Sequence, residues 1–176
     1  MILGVKNNEV VLVQYDENWK TEFERTKSNL MLYTNLNASR IEHIGSTAIE
    51  GIYAKPIIDL LVGVDSLASL HKDFFTQLQQ IGFYRLKVER PSEIVCAKFT
   101  DETFQCKTHF LHIVEFEKEK WNQLIFFRNF LNQNQASKDA YEQLKRSILK
   151  SNSINIQTYT DSKEDFVYSV VEKMKD

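Results

Sequence analysis

The chain has 176 residues, a formal net charge of −2 and 43% apolar side chains. That length suits one domain, residues 1–176, with a substantial core, and the charge balance shows neither the basic excess of a duplex-binding protein nor an acidic tail. No apolar run approaches membrane-spanning length and residues 1–16 lack a signal-peptide pattern. Cys96 and Cys106 are too few and too far apart for a disulfide framework or a zinc ribbon, so they read as reduced thiols of a cytoplasmic protein.

Residues 9–13, EVVLV, form a short β-type run. Trp19, Phe23, Leu30 and Tyr33 recur at helical intervals behind an acidic opening and predict a helix over 16–33. Strands are expected at 40–44 and 56–64; the second, PIIDLLVGV, is apolar on both faces, as a fully covered strand is. Residues 66–82 read as a helix capped by Ser66 and stopped by Gly82, with Leu67, Leu70, Phe74, Leu78 and Ile81 on one apolar face. Strands follow at 83–88, 93–99 and 109–115, then helices over 118–134, 137–149 and 162–174. This order predicts an α/β (α+β) fold: a mixed sheet flanked by helices, with a helical C-terminal part.

Asp59 interrupts the apolar run of the 56–64 strand. An unpaired buried charge is expensive, so such an acid is paired, protonated or holding a cation. Alternation puts Asp59 on one face with Ile57 and Leu61, and Ile58, Leu60 and Val62 on the other. Upstream, Gly45-Ser46-Thr47 is a turn of small residues that can bring backbone N–H groups and two hydroxyls close to a phosphate. An acid on the next strand can then hold a divalent cation against that phosphate. Spacing alone leaves a plainer reading open, in which the turn caps a short helix and Asp59 pairs with Lys55 or an arginine.

With EHIGSTAIEGIYAKPIIDLLVGV, KTHFLHIVE, AYEQLKRSI and YTDSKEDFV in this order, the chain resembles the GrpB family of the nucleotidyltransferase superfamily, from about Val10 to the C-terminus. The resemblance implies a nucleotidyltransferase-like fold and, through family members fused to dephospho-coenzyme A kinase, a link to nucleotide metabolism; it implies no particular reaction. Nucleotidyltransferases carry Gly-Ser followed by Asp-x-Asp or Asp-x-Glu, with a third acid on a later strand. Gly45, Ser46 and Asp59 match that pattern, but Leu61 stands where the second acid would be. Two-metal transfer needs carboxylates that bridge the ions, and one of them is missing here. Glu50 is a smaller departure, at a place where the family block has proline.

His109 and His112 lie three apart on one strand and therefore face opposite sides, His112 with Phe110 and Val114, His109 with Leu111 and Glu115. If that strand adjoins the one bearing Asp59, a histidine can replace the third acid as imidazole ligand or proton acceptor; the resemblance favours His112 over His109. The bland alternative is a hydrogen-bonded core histidine. His43 is a third candidate and His71 reads as solvated. Lys55 and Lys107 at strand starts, and Lys145 and Lys163 on helices, are candidates for holding a phosphate. Tyr141/Lys145 and Tyr159/Lys163 are each four apart, a spacing that a ring packed under a snorkelling lysine explains as well.

The combined expectation is a protein that binds a phosphate-bearing small molecule, a nucleotide, through Gly45, Ser46, Thr47, Lys55, Lys107, Lys145 and Lys163. One divalent ion, Mg²⁺ or Mn²⁺, on Asp59 and His112 would assist nucleotidyl or phosphoryl transfer, with Asp59, His112 and His109 as the catalytic groups. The alternative is a non-catalytic ligand-sensing or partner-binding module that keeps the fold without the acids. No membrane partner and no nucleic-acid partner are expected, and no oligomeric state is indicated.

Overall fold

The computed structural model describes residues 1–88, 90–150 and 156–175, with the backbone alone at 150, 156–162 and 175. In chain order the elements are β1 (Val5–Lys6), α1 (Asn18–Thr34), β2 (Ile41–Ile44), β3 (Ile58–Val64), α2 (Lys72–Gln80), β4 (Phe83–Arg85), β5 (Ile94–Phe99), β6 (Cys106–Glu115), α3 (Glu119–Gln133), α4 (Gln135–Lys150) and α5 (Ile156–Val171). One six-stranded mixed sheet has the order β2-β3-β6-β5-β4, with β1 beside the start of β6. β3 and β6 run parallel, Asp59 opposite Phe110 and Leu61 opposite His112, and the remaining strand pairs are antiparallel.

β3 lies between two strands and under helices on both faces, which is why its sequence is apolar in both registers. On one face, Trp19, Phe23 and Leu30 of α1 and Leu78 of α2 pack on Ile58, Leu60, Val62, Leu111 and Ile113. On the other, Trp121 of α3 meets Ile44, Leu61 and Val114. Beyond it, Phe127, Leu131, Tyr141 and Val170 of α3–α5 enclose Ile49 and Ile52 from the loop after β2. Asp59 and His112 face this second, C-terminal set of helices.

The structure departs from the sequence reading in several places: β1 was not expected, the strand expected over 83–88 ends at Arg85, and four further differences follow. Residues 9–13 form no strand: Val13 exchanges two backbone hydrogen bonds with Ala54, both 2.9 Å, and the next ladder position falls on Pro56, which has no N–H to give. The helix expected over 66–82 is split. Residues Leu67–Ser69 make a 3-10 turn in which the Ser69 hydroxyl donates to the Ser66 carbonyl at 2.8 Å, and α2 begins only after His71, with no side-chain cap from Ser66. β6 starts three residues early, because Cys106 and Lys107 pair with β1. α5 starts at Ile156, ahead of the expected 162.

Candidate functional site

Asp59 is the second residue of β3 and its side chain is about a quarter exposed, so it lines an opening in the sheet face. Gly45, directly after β2, lies flat against it. Its φ of 70° is left-handed, and a Cβ there would stand 2.0 Å from Oδ2 of Asp59. Only glycine meets both conditions. The chain then makes a single 3-10 turn, Ser46–Ala48, with Ser46 buried. Thr47 is committed to the protein: its hydroxyl donates to the Ile57 carbonyl at 3.2 Å and lies 3.0 Å from Nε2 of His43. His43 itself is stacked on Phe23 on the α1 face, and burial pushes it down to about 4.

The parallel register brings His112 to Asp59. Nε2 of His112 lies 3.5 Å from Oδ1 of Asp59, and Nδ1 lies 2.5 Å from Oε1 of Glu93, just ahead of β5. Burial opposes a charge on this ring, but the Asp59 and Glu93 carboxylates outweigh it and push His112 up to about 9. Glu93 is itself buried, a cost offset by His112 and then by Lys120 and Arg90, which hold its carboxyl below the usual range. Asp59, His112 and Glu93 therefore form a carboxylate–imidazole–carboxylate chain. Glu93 was absent from the sequence reading: an acid one residue before an apolar run looks like a solvated strand start.

His109 is on the opposite face of the sheet, 2% exposed, with Nε2 3.1 Å from Glu22 and Nδ1 2.9 Å from the Thr108 hydroxyl. Burial keeps it neutral, down to about 4, in spite of Glu22. It does not reach Asp59.

Asp59 and His112, the expected metal ligands, lie together: Glu93 holds Nδ1 of His112 as a carboxylate orients a ligating imidazole, and Nε2 lies 3.5 Å from Oδ1 of Asp59. The acids that would complete a two-metal site are missing. Leu61, in the second acid's place, is fully buried against Ile44, Val114 and Trp121. Glu42, beside Leu61 on β2, is held by Arg128 at 2.6 Å. Among the described residues no three His, Cys, Asp or Glu side chains are arranged to hold a metal ion.

Lys55 feels the charges of Asp59, Lys163 and Lys107, and Lys145 feels that of Lys163. A cleft of about 370 Å³ opens at the N-terminal ends of β3 and β6, lined in part by Lys6, Asn7, Lys55, Ile57, Lys107 and Phe110. Burial, then the charges of Lys163 and Lys107, hold Lys55 below an ordinary lysine, against the pull of Asp59. Lys107 donates to Asn7 at the cleft wall. Lys145 is completely buried, donates to the Tyr53 carbonyl and sits 4.6 Å from the Tyr141 ring centre. Burial and then Lys163 bring it down to about 7. The Tyr141 hydroxyl is pushed up by burial and by Asp59. Tyr159, paired with Lys163 in the sequence reading, has its side chain outside the described residues.

The loop carrying the Gly-Ser turn is fastened by the C-terminal helices. Asn132 of α3 donates to the Ala48 carbonyl and accepts from the Glu50 N–H, both at 3.0 Å. Glu142 of α4 accepts from the Tyr53 N–H at 3.1 Å.

Comparison with known proteins agrees with this architecture. The family model described as GrpB protein matches residues 9–173. The glutamate-rich protein GrpB of Alkalihalophilus pseudofirmus is 41% identical over 98% of this chain and 100% of its own length. The crystal structure of the conserved protein GrpB from Enterococcus faecalis superposes with a TM-score of 0.79 at 24% identity, over 94% of this chain and 100% of that one. The Cid1 poly(U) polymerase with bound MgGTP shares the fold alone, with a TM-score of 0.52 at 14% identity over 75% of this chain and 43% of that one. The fold is thus nucleotidyltransferase-like, and the chain belongs to the GrpB family.

Proposed function

We propose that this protein binds a nucleotide or a closely related phosphate ester in the lysine-lined cleft beside Asp59, with the phosphates against the Gly45–Ser46 turn. The observation that carries this reading is the cleft lined by Lys6, Lys55 and Lys107, in which burial and the charges of Lys163 and Lys107 hold Lys55 below an ordinary lysine. The fold shared with a polymerase that carries MgGTP favours a nucleotide among phosphate ligands. A binding role is preferred to two-metal transfer because the bridging acids are missing. Titration of ATP, GTP, CTP, UTP and inorganic pyrophosphate by thermal shift and calorimetry tests the reading. At least one should stabilise the protein, by about 2.7 kcal/mol at a hundredfold excess over its Kd. Lys55→Gln should weaken that ligand tenfold or more. No shift with any of the five overturns the proposal.

A further inference from the structure

The C-terminal helices leave part of the sheet face that carries Asp59 uncovered. Trp121 closes it over Ile44, Leu61 and Val114, and the next apolar set encloses Ile49 and Ile52. Phe110, directly opposite Asp59 on β6, packs in none of the three apolar clusters. Yet β6 is an inner strand between β3 and β5, where an aromatic ring is ordinarily packed away. The half-buried Phe110 ring lines the 370 Å³ cleft together with Ile57. The His112 ring does not stack on it: the centres are 6.2 Å apart and the planes tilted by 50°. The cleft wall is polar. Asn7 is committed at both ends of its amide, accepting from Lys107 and donating to the Phe104 carbonyl at 3.0 Å. Asn8 lines the cleft from a left-handed turn, φ 63°, and its amide has no hydrogen bond among the described residues. Lys55 lines the same cleft, lies within the field of Asp59 and likewise has no hydrogen bond or ion pair among the described residues.

We propose that this cleft is a base pocket, in which the nucleobase of the ligand stacks on Phe110 and meets the Asn8 amide with its polar edge. The proposal rests on the nucleotide reading above and gives it an orientation. From phosphates at the Gly45–Ser46 turn, the ligand passes Asp59 and its ring reaches Phe110 one strand away, a step of about 5 Å. Every base has a π-face to lay on an uncovered ring, and the cleft volume falls within the range of small-molecule sites. A bare polyphosphate uses neither Phe110 nor Asn8, so the ring is what distinguishes a nucleotide from an inorganic phosphate chain here.

Calorimetry with ATP, GTP, CTP, UTP and inorganic tripolyphosphate, which carries the phosphates without a ring, tests the pocket. In wild type at least one nucleotide should bind about tenfold or more tighter than tripolyphosphate. Phe110→Leu should remove that preference and leave tripolyphosphate affinity unchanged, whereas Phe110→Tyr should keep it. Asn8→Gly, which preserves the left-handed turn, should narrow the differences among the four nucleotides, and unchanged differences overturn the role of Asn8. If Phe110→Leu fails to fold, nuclear Overhauser contacts between the Phe110 ring and the base protons of a nucleotide bound to wild type take its place; they are expected, and their absence overturns the pocket. Tripolyphosphate binding as tightly as every nucleotide overturns the pocket and leaves the phosphate reading standing. A nucleotide preference that survives Phe110→Leu overturns it as well. Binding of none of the five removes the ligand reading and the pocket together.

Discussion

Gly45 and Asp59 constrain one another, and a double-mutant cycle exposes the coupling. Gly45→Ala forces a left-handed alanine and drives its Cβ onto Oδ2, so a loss of about 3 kcal/mol or more is expected in urea denaturation. In an Asp59→Ala background the collision with the carboxylate vanishes while that with the Asp59 Cβ position, 2.8 Å away, remains. The cost of Gly45→Ala should shrink there without disappearing. Protons give a second test. His43 and His109, at about 4 when folded against about 6.5 unfolded, bind more protons in the unfolded chain between those values. Stability should therefore fall as pH drops from 6.5 toward 4, by roughly 3 kcal/mol per histidine at the acid end, and His109→Gln should flatten that limb. His112 has the opposite sign. Its contribution is complete below about 6.5 and is lost as pH rises through about 9. Lys145, at about 7, gains stability over part of the same alkaline range, so the His112 part is read as the difference between wild type and His112→Gln.

At the scale of elements, the 46–53 loop is the joint between sheet and C-terminal helices. Asn132→Ala removes both of its hydrogen bonds to that loop and should cost about 1–2 kcal/mol, while ligand affinity falls further than stability does, because the Gly-Ser turn loses its support. Lys145→Met is predicted to behave in reverse: replacing a buried lysine with an apolar chain of similar size should leave stability equal or higher, and weaken anion binding. What was legible in the sequence follows the same division. Asp59 stood out because a carboxylate in an apolar strand breaks the burial rule; strand parity put His109 and His112 on opposite faces, and the family resemblance favoured His112. The strand misread at 9–13 failed on a partner far along the chain, since Pro56 ends the ladder. Glu93 was illegible for a related reason: its burial exists only because β5 pairs with β6 and delivers it to His112.

At the scale of the molecule, a net charge of −2 conceals a local concentration of lysine that arises only when β3, β6, α4 and α5 are assembled. Ligand affinity should accordingly fall with rising salt, and Lys107→Gln and Lys163→Gln should each reduce that dependence; a salt-independent affinity would place the ligand outside this cleft. The position of β3 has a consequence for synthesis. Its parallel neighbour β6 begins at Cys106, so until those residues have emerged from the ribosome one edge of β3 has no strand to pair with. The unpaired edge carries Ile58, Leu60, Leu61 and Val62, an apolar β-prone segment of the kind that recruits other chains. Nascent chains halted between Val64 and Cys106 should aggregate or engage chaperones more strongly than chains halted after Glu115, where the edge is closed.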